Sequence, residues 1–229
     1  MAIGVAAVVV LTALGDGARR YVIGEFSSLG TNLVIVLPGR SQTGGFSPGN
    51  AITSTPRDLT LDDAQSLQRA SAVRRVAPLL IGTSEISFGG RLREVMVAGT
   101  VSQYIELRVL KLAQGRFLNE GDWRRGAPEA VIGAKIRDEV FGSEPALGQL
   151  IRLGDRRFRV VGVMASTGQG LGMNTDEVVF VPVATAQAMF NSNTLFRVLI
   201  EAHNRDAIDA AKSQASEIRK LRHEGEEDV

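Results

Sequence analysis

The chain has no cysteine, and only two histidines, one tryptophan and two tyrosines among its 229 residues. Without thiols there is no cysteine metal site and no disulfide framework. A chain of this length buries an adequate core without covalent staples, so the absence leaves the redox compartment open. The histidines, His203 and His223, stand twenty residues apart with no HExxH or paired ligand spacing, and both are expected at the surface. Aromatics amount to 5% and the formal net charge is +1. Stacking platform and basic patch, the two halves of a nucleic-acid footprint, are therefore both missing. No GxxxxGK(S/T) phosphate loop occurs, so this chain does not hydrolyse ATP by that route. No serine sits in a GxSxG elbow, and a hydrolase triad would have to recruit one of two undistinguished histidines.

What is present is an ordinary globular balance, 44% hydrophobic and 22% charged, enough for one large domain or two small ones. The first residues depart from it. From Ile3 to Leu14 the sequence IGVAAVVVLTAL is apolar apart from Thr12. As a helix this run rises about 18 Å, roughly half of a bilayer's hydrocarbon core. Three readings compete: the outer half of a transmembrane helix, a secretory signal peptide with a small-residue cleavage site near Ala13-Leu14-Gly15, or a buried helix. A signal peptide wants a basic n-region, and only Met1 and Ala2 precede the run. A soluble helix wants a polar face, and Val5 to Leu11 has none. From Asp16 the apolar residues Ala18, Val22, Phe26 and Leu29 recur at helical steps, so a membrane helix continuing as an amphipathic one is expected. Arg19 and Arg20 run against the positive-inside preference if this end lies outside the cell.

Downstream, Asn32–Leu37 (NLVIVL) reads as a buried strand closed by Pro38-Gly39, and the Gly-, Ser-, Pro- and Thr-rich stretch 38–58 as a long mobile loop. Thr60 followed by Asp63 forms a capping box opening a helix through Ala64, Leu67 and Ala70. Val76–Phe88 and Leu92–Thr100 read as strands joined in a hairpin at Gly89-Gly90. Strand, helix and hairpin follow at Glu129–Gly133, Ala134–Phe141 and Gln149–Met164, the last turning at Gly154-Asp155. In its second strand Phe158 and Val160 face one way, with Arg157, Arg159 and Val161 opposite. After the Gly-rich Ser166–Asn174 come a strand at Glu177–Pro182 and a helix at Ala184–Phe190. Next is a strand, Phe196–Ala202, expected to put Phe196, Val198, Ile200 and Ala202 on one face. Asp206 starts a final helix with an inner stripe of Ile208, Ala211, Ala215 and Ile218. The pattern is α+β: one β-α-β unit near the start, another begun near the end without its closing strand, and a β-rich insert between. Truncation at both ends would explain the short apolar run and the acidic tail HEGEEDV together.

Three features invite chemistry and find simpler explanations. Gly168, Gly170 and Gly172 suggest a phosphate cradle, but no strand enters them directly and no capped helix follows. The pairs Asp62-Asp63 and Glu226-Glu227 fall at a helix N-terminus and in a solvated tail. Trp123, in EGDWRRG, either anchors a partner at the surface or packs inside the insert. No catalytic, cofactor-binding or metal-ligating residue is assigned, and no cofactor is expected.

Six ordered segments carry a family resemblance: IGVAAVVVLTALGDGARR, SSLGTNLVIVLPG, LRVLKLAQGRFLNEGDW, AVIGAKIRDEVFG, PALGQLIRLGDRRFRVVGVMA and DEVVFVPVATAQAMF. Together they resemble the extracytoplasmic core domain of MacB-like and FtsX-like ABC transporter permeases, over nearly the whole chain. The resemblance implies residues 1–30 as the end of a first transmembrane helix continuing as an amphipathic one. It implies a porter-like subdomain at 31–102 and 166–229, made of two β-α-β units with the last strand missing, and a mostly β inserted subdomain at 103–165. It further implies a non-enzymatic role on the outer side of the bacterial inner membrane, transmitting motion from a separate ATPase subunit or domain. A periplasmic adaptor and a second permease copy are the implied partners. The reading from another class is a secreted binding protein with a cleaved signal peptide.

Overall fold

A computed structural model of the chain describes residues 32–38, 58–167 and 174–222. The apolar and amphipathic N-terminal stretch, the loop at 39–57, the glycines 168, 170 and 172 and the acidic tail lie outside the described residues, and so do the expectations placed on them. No helix among the described residues is long and apolar enough to cross a membrane.

The strands are β1 (Leu33–Val36), β2 (Val73–Phe88), β3 (Arg91–Thr100), β4 (Leu112–Gly115), β5 (Glu129–Ile132), β6 (Leu150–Leu153), β7 (Arg156–Met164), β8 (Val178–Pro182) and β9 (Arg197–Ala202). Between them lie α1 (Leu61–Leu67), α2 (Tyr104–Leu107), α3 (Ala134–Phe141), α4 (Val183–Phe190) and α5 (Ile208–Arg222). The fold is α+β, as the sequence pattern requires. The strands hydrogen-bond in the order β1-β9-β2-β3-β8-β5-β7-β4.

At one end of this order β9 is antiparallel to both β1 and β2. The unit β1-α1-β2 is therefore a β-α-β crossover with β9 threaded between its parallel strands. α1 starts where its capping box sets it: Thr60 accepts from the Asp63 backbone N–H, and the Asp63 carboxylate accepts from the Thr60 backbone N–H at 2.9 Å. Asp62 and Asp63 thus occupy the helix N-terminus expected for them. Val34, Ile200 and Val76 form one buried cross-strand row, and α1 and α5 pack against this part of the sheet and each other. In α5, Ala211 and Ala215 are buried as the stripe predicts, with Ile208 packed at the core's edge. The side chain of Ile218 lies outside the described residues.

β9 departs from its expected alternation. Val198, Ile200 and Ala202 are buried on one face, but so is Leu199 on the other, because β9 is central and α2 lies across its second face. Phe196 precedes the strand and is 50% exposed, with the Arg197 guanidinium over its ring at 5.3 Å.

β2 is long enough to belong to two neighbourhoods. Its first half pairs with β9 and its second half, from Leu80, with β3. The turn between β2 and β3 has positive φ at both Gly89 (57°) and Gly90 (80°), which only glycine adopts without strain and which suits the twist of a two-residue hairpin. Beyond it the sheet closes: β6 pairs with β7 and also with β2 at Ile86↔Leu153 and Ser87↔Arg152. β2, β3, β8, β5, β7 and β6 therefore form a ring. Inside it Phe158 and Val160 are buried while Arg157 and Arg159 point outward, the alternation expected of a half-buried strand. Phe180 of β8 stands between Tyr104 at 5.8 Å and Phe117 at 5.6 Å, joining the ring's core to α2.

Candidate functional site

A concave surface lies where the 116–128 loop folds over the ends of β3 and β8. Phe117 and Leu118 insert at its base and Trp123 is buried, 8% exposed. Its indole packs into the core and is not a surface anchor. The cleft of about 290 Å³ is lined by Val101, Ser102, Asn119, Trp123, Arg125 and Pro182 among others.

Its wall is held by a carboxylate. Glu129, at the start of β5, is 6% exposed and accepts from the Asn119 backbone N–H at 2.8 Å, the Arg116 guanidinium at 2.8 Å and the Asn119 side-chain amide at 3.1 Å. A buried carboxylate is tolerable when charged and polar donors occupy its lone pairs. Thr185 on α4 closes the loop's far end, donating to the Ala127 carbonyl and accepting from its N–H, both at 3.1 Å. Outside, Arg124 pairs with Asp62 of α1 at 2.5 Å. Sequence spacing carried no signal for Arg116, Asn119 and Glu129, which meet only once the loop has folded back on β5.

A second network surrounds the stem of the Gly-rich stretch. Glu177, in the turn before β8, meets Lys135 of α3 and, at 3.7 Å, Arg93 of β3, which also pairs with Glu139. The hydrogen bond and charge of Lys135, with Arg93 adding to them, hold the Glu177 carboxyl below the usual carboxylate range. Beside it the Asp176 carboxylate accepts from Ser166 Oγ at 2.6 Å and from the Thr167 N–H at 3.0 Å, so the two ends of the stretch are joined.

A third cluster ties the sheet to α2. Arg75 of β2 pairs with Glu201 of β9 at 2.7 Å and with Glu106 of α2 at 2.6 Å, and the Glu201 hydrogen bond raises its pKa. Burial likewise pushes the Tyr104 phenol upward.

None of these clusters sets a nucleophile against a general base. Among the described residues no three His, Asp or Glu side chains are grouped to hold a metal ion. His203 is exposed; His223 lies outside the described residues. What the arrangement does provide is a continuous sheet. The Ala202 N–H donates to the Asn32 carbonyl at 2.9 Å, four residue pairs then join β1 to β9, β9 joins β2, and β2 continues into the ring. Hydrogen-bonded strands thus form an unbroken path from Asn32 to Phe88.

Comparison with known proteins agrees with this architecture. The family model described as the MacB-like periplasmic core domain matches residues 1–218. The macrolide export ATP-binding/permease protein MacB of Rhodopseudomonas palustris is 33% identical over 96% of this chain and 33% of its own length. The pyoverdine export ATP-binding/permease protein PvdT of Pseudomonas entomophila is 31% identical over 99% of this chain and 34% of its own length. The chain thus spans about one third of these curated relatives. Among solved structures, the periplasmic region of MacB from Actinobacillus actinomycetemcomitans superposes with a TM-score of 0.70 at 22% identity, covering 86% of each chain. The extracellular domain of the noncanonic ABC-type transporter YknZ from Gram-positive bacteria gives 0.68 at 19% identity, covering 84% of this chain and 95% of that one. At these identities the structures establish a shared fold.

Proposed function

The chain belongs to the family of MacB-like periplasmic core domains of ABC transporter permeases, and from that premise we propose that it transmits motion driven by ATP hydrolysis elsewhere in its transporter. In this reading it performs no catalysis of its own. The observation that carries it is the unbroken strand path from Asn32 through β1, β9 and β2 to the hairpin at Gly89-Gly90. Hydrogen-bonded strands are stiff along their length, so movement entering at Asn32 displaces the distal ring instead of dissipating in a loop.

The relatives named as ATP-binding/permease proteins are three times as long as this chain, and the chain has no phosphate loop. This division supports an ATPase domain or subunit as the engine and an inner-membrane permease whose outer part is this domain. It favours the permease over a free secreted binding protein. The subdomain limits at 31–102, 103–165 and 166–229, a second permease copy and a periplasmic adaptor belong to the same proposal. Purified chain incubated with ATP should release no phosphate above buffer. Sustained turnover that survives repurification would overturn the non-catalytic reading.

A further inference from the structure

The ring is incompletely sealed at one seam. β2 and β6 share only the pairs Ile86↔Leu153 and Ser87↔Arg152. Past Ser87 the strands diverge, and the space between the hairpin tip and the start of β6 is a groove of about 560 Å³. Its walls come from Phe88–Leu92 on one side and from Leu150–Arg152 with Arg157 on the other.

Three properties of this groove coincide. It is apolar where a side chain would rest: Leu92 is 65% exposed and Leu150 52%, with Phe88 and Ile151 beneath. It is basic at the rim: Arg91, Arg152 and Arg157 line it and no carboxylate does. It offers strand edges, because the β2–β6 ladder stops at Ser87. The register sharpens the second property. Arg152 and Arg157 stand directly opposite one another on β6 and β7, in a row continued by Ser87 and Leu92. Like charges in facing positions are destabilising. Their guanidiniums are turned to carbonyls or solvent: Arg152 donates to the Gly154 carbonyl at 2.9 Å, and Arg91 to that of Val140 at 3.2 Å. Carboxylates do occur nearby, Glu85 facing Glu94 two residues along the same strands, but they lie outside the groove's lining.

We propose that this seam groove docks an extended segment of a partner protein in which acidic and apolar side chains alternate. The segment's backbone lies along the unpaired edge, its carboxylates meet Arg152 and Arg157 on the face that Leu92 and Leu150 share, and its apolar side chains turn to the opposite face, toward Phe88 and Ile151. Edge pairing supplies affinity and alternation supplies specificity, since an extended chain presents every second side chain to the same face. The proposal rests on the groove alone and stands or falls separately from the coupling role.

A fluorescently labelled peptide of four Glu-Leu repeats, titrated with the full 229-residue chain and followed by anisotropy, tests it. Saturable binding is expected, at least about tenfold tighter than for a peptide of four Lys-Leu repeats and weakening with salt. R152Q/R157Q should weaken it about tenfold, while R69Q, an exposed arginine after α1, leaves it unchanged. If the double variant shifts the thermal transition, R157Q alone carries the comparison. Equal binding of both peptides, or equal loss in R69Q, overturns the proposal. So does Arg152/Arg157-dependent sedimentation with phosphatidylglycerol vesicles without peptide binding, which would assign the groove to a membrane. Dimerisation of the chain with the same arginine dependence would assign it to a second copy, and likewise overturns it.

Discussion

Gly99 of β3 lies so close to Ala186 of α4 that a Cβ added to it would stand 2.2 Å from the Ala186 methyl. The nearest atom belongs to a short side chain on a packed helix, so relief requires moving α4. A Cβ at Gly82 would also clash, at 2.4 Å, but with the outer end of the half-buried Phe190 ring, which can rotate away. G99A should therefore cost about 1–3 kcal/mol and G82A less. Adding A186G should restore part of the loss in G99A and none in G82A. Urea unfolding of the four variants reads both differences.

The Glu129 carboxylate gives a second prediction. E129Q keeps the shape but turns one acceptor into a donor facing Arg116 and Asn119, and E129A leaves those donors without their carboxylate. Both should destabilise by about 1–3 kcal/mol, E129A more. Because Trp123 packs in the same loop, its fluorescence should shift to the red in E129A under native conditions. An unchanged emission maximum would show that the loop does not depend on this carboxylate.

Glu177 predicts behaviour in acid. Its folded pKa lies below the ordinary carboxylate range, so it favours the folded state above its unfolded pKa. That contribution is lost as pH falls through the lower, folded pKa. E177Q should lower the neutral plateau slightly and flatten the acid limb below about pH 4.5, so that the two profiles converge in acid. The group is exposed, so the effect should be small and should shrink in high salt. Acid-unfolding curves at two ionic strengths check both statements.

Much of this fold was legible because the signals were local. Thr60 and Asp63 announce a helix start, and Gly89-Gly90 announces a turn with positive φ at both positions. Ala134–Phe141 ends at Gly142, itself at φ 60°. What stayed hidden was set by distant partners. Nothing near β1 or β2 says that β9 lies between them, and the ring closes through two residue pairs joining segments more than sixty positions apart. β4 is mostly exposed and carries little apolar pattern. Phe196 departs from the expected face because alternation predicts faces but not where a strand begins, and the place of Trp123 is not legible because a polar loop says nothing about what folds beneath it. The groove between β2 and β6 was invisible for the same reason: it exists only where a nonlocal ladder stops.

In the proposed role this domain moves as a unit when ATP is hydrolysed elsewhere in the transporter. The absence of cysteine makes this motion directly measurable. In the intact transporter, with any other cysteines removed, spin labels placed by L92C at the ring's exposed tip and by R205C before α5 report the internal distance. A third label on the ATPase domain, paired in turn with L92C, reports displacement. Under ATP turnover the Leu92–Arg205 distance distribution should stay unchanged and the Leu92–ATPase distribution should shift. A Leu92–ATPase distribution that stays fixed while the transporter hydrolyses ATP and exports would contradict the proposed role.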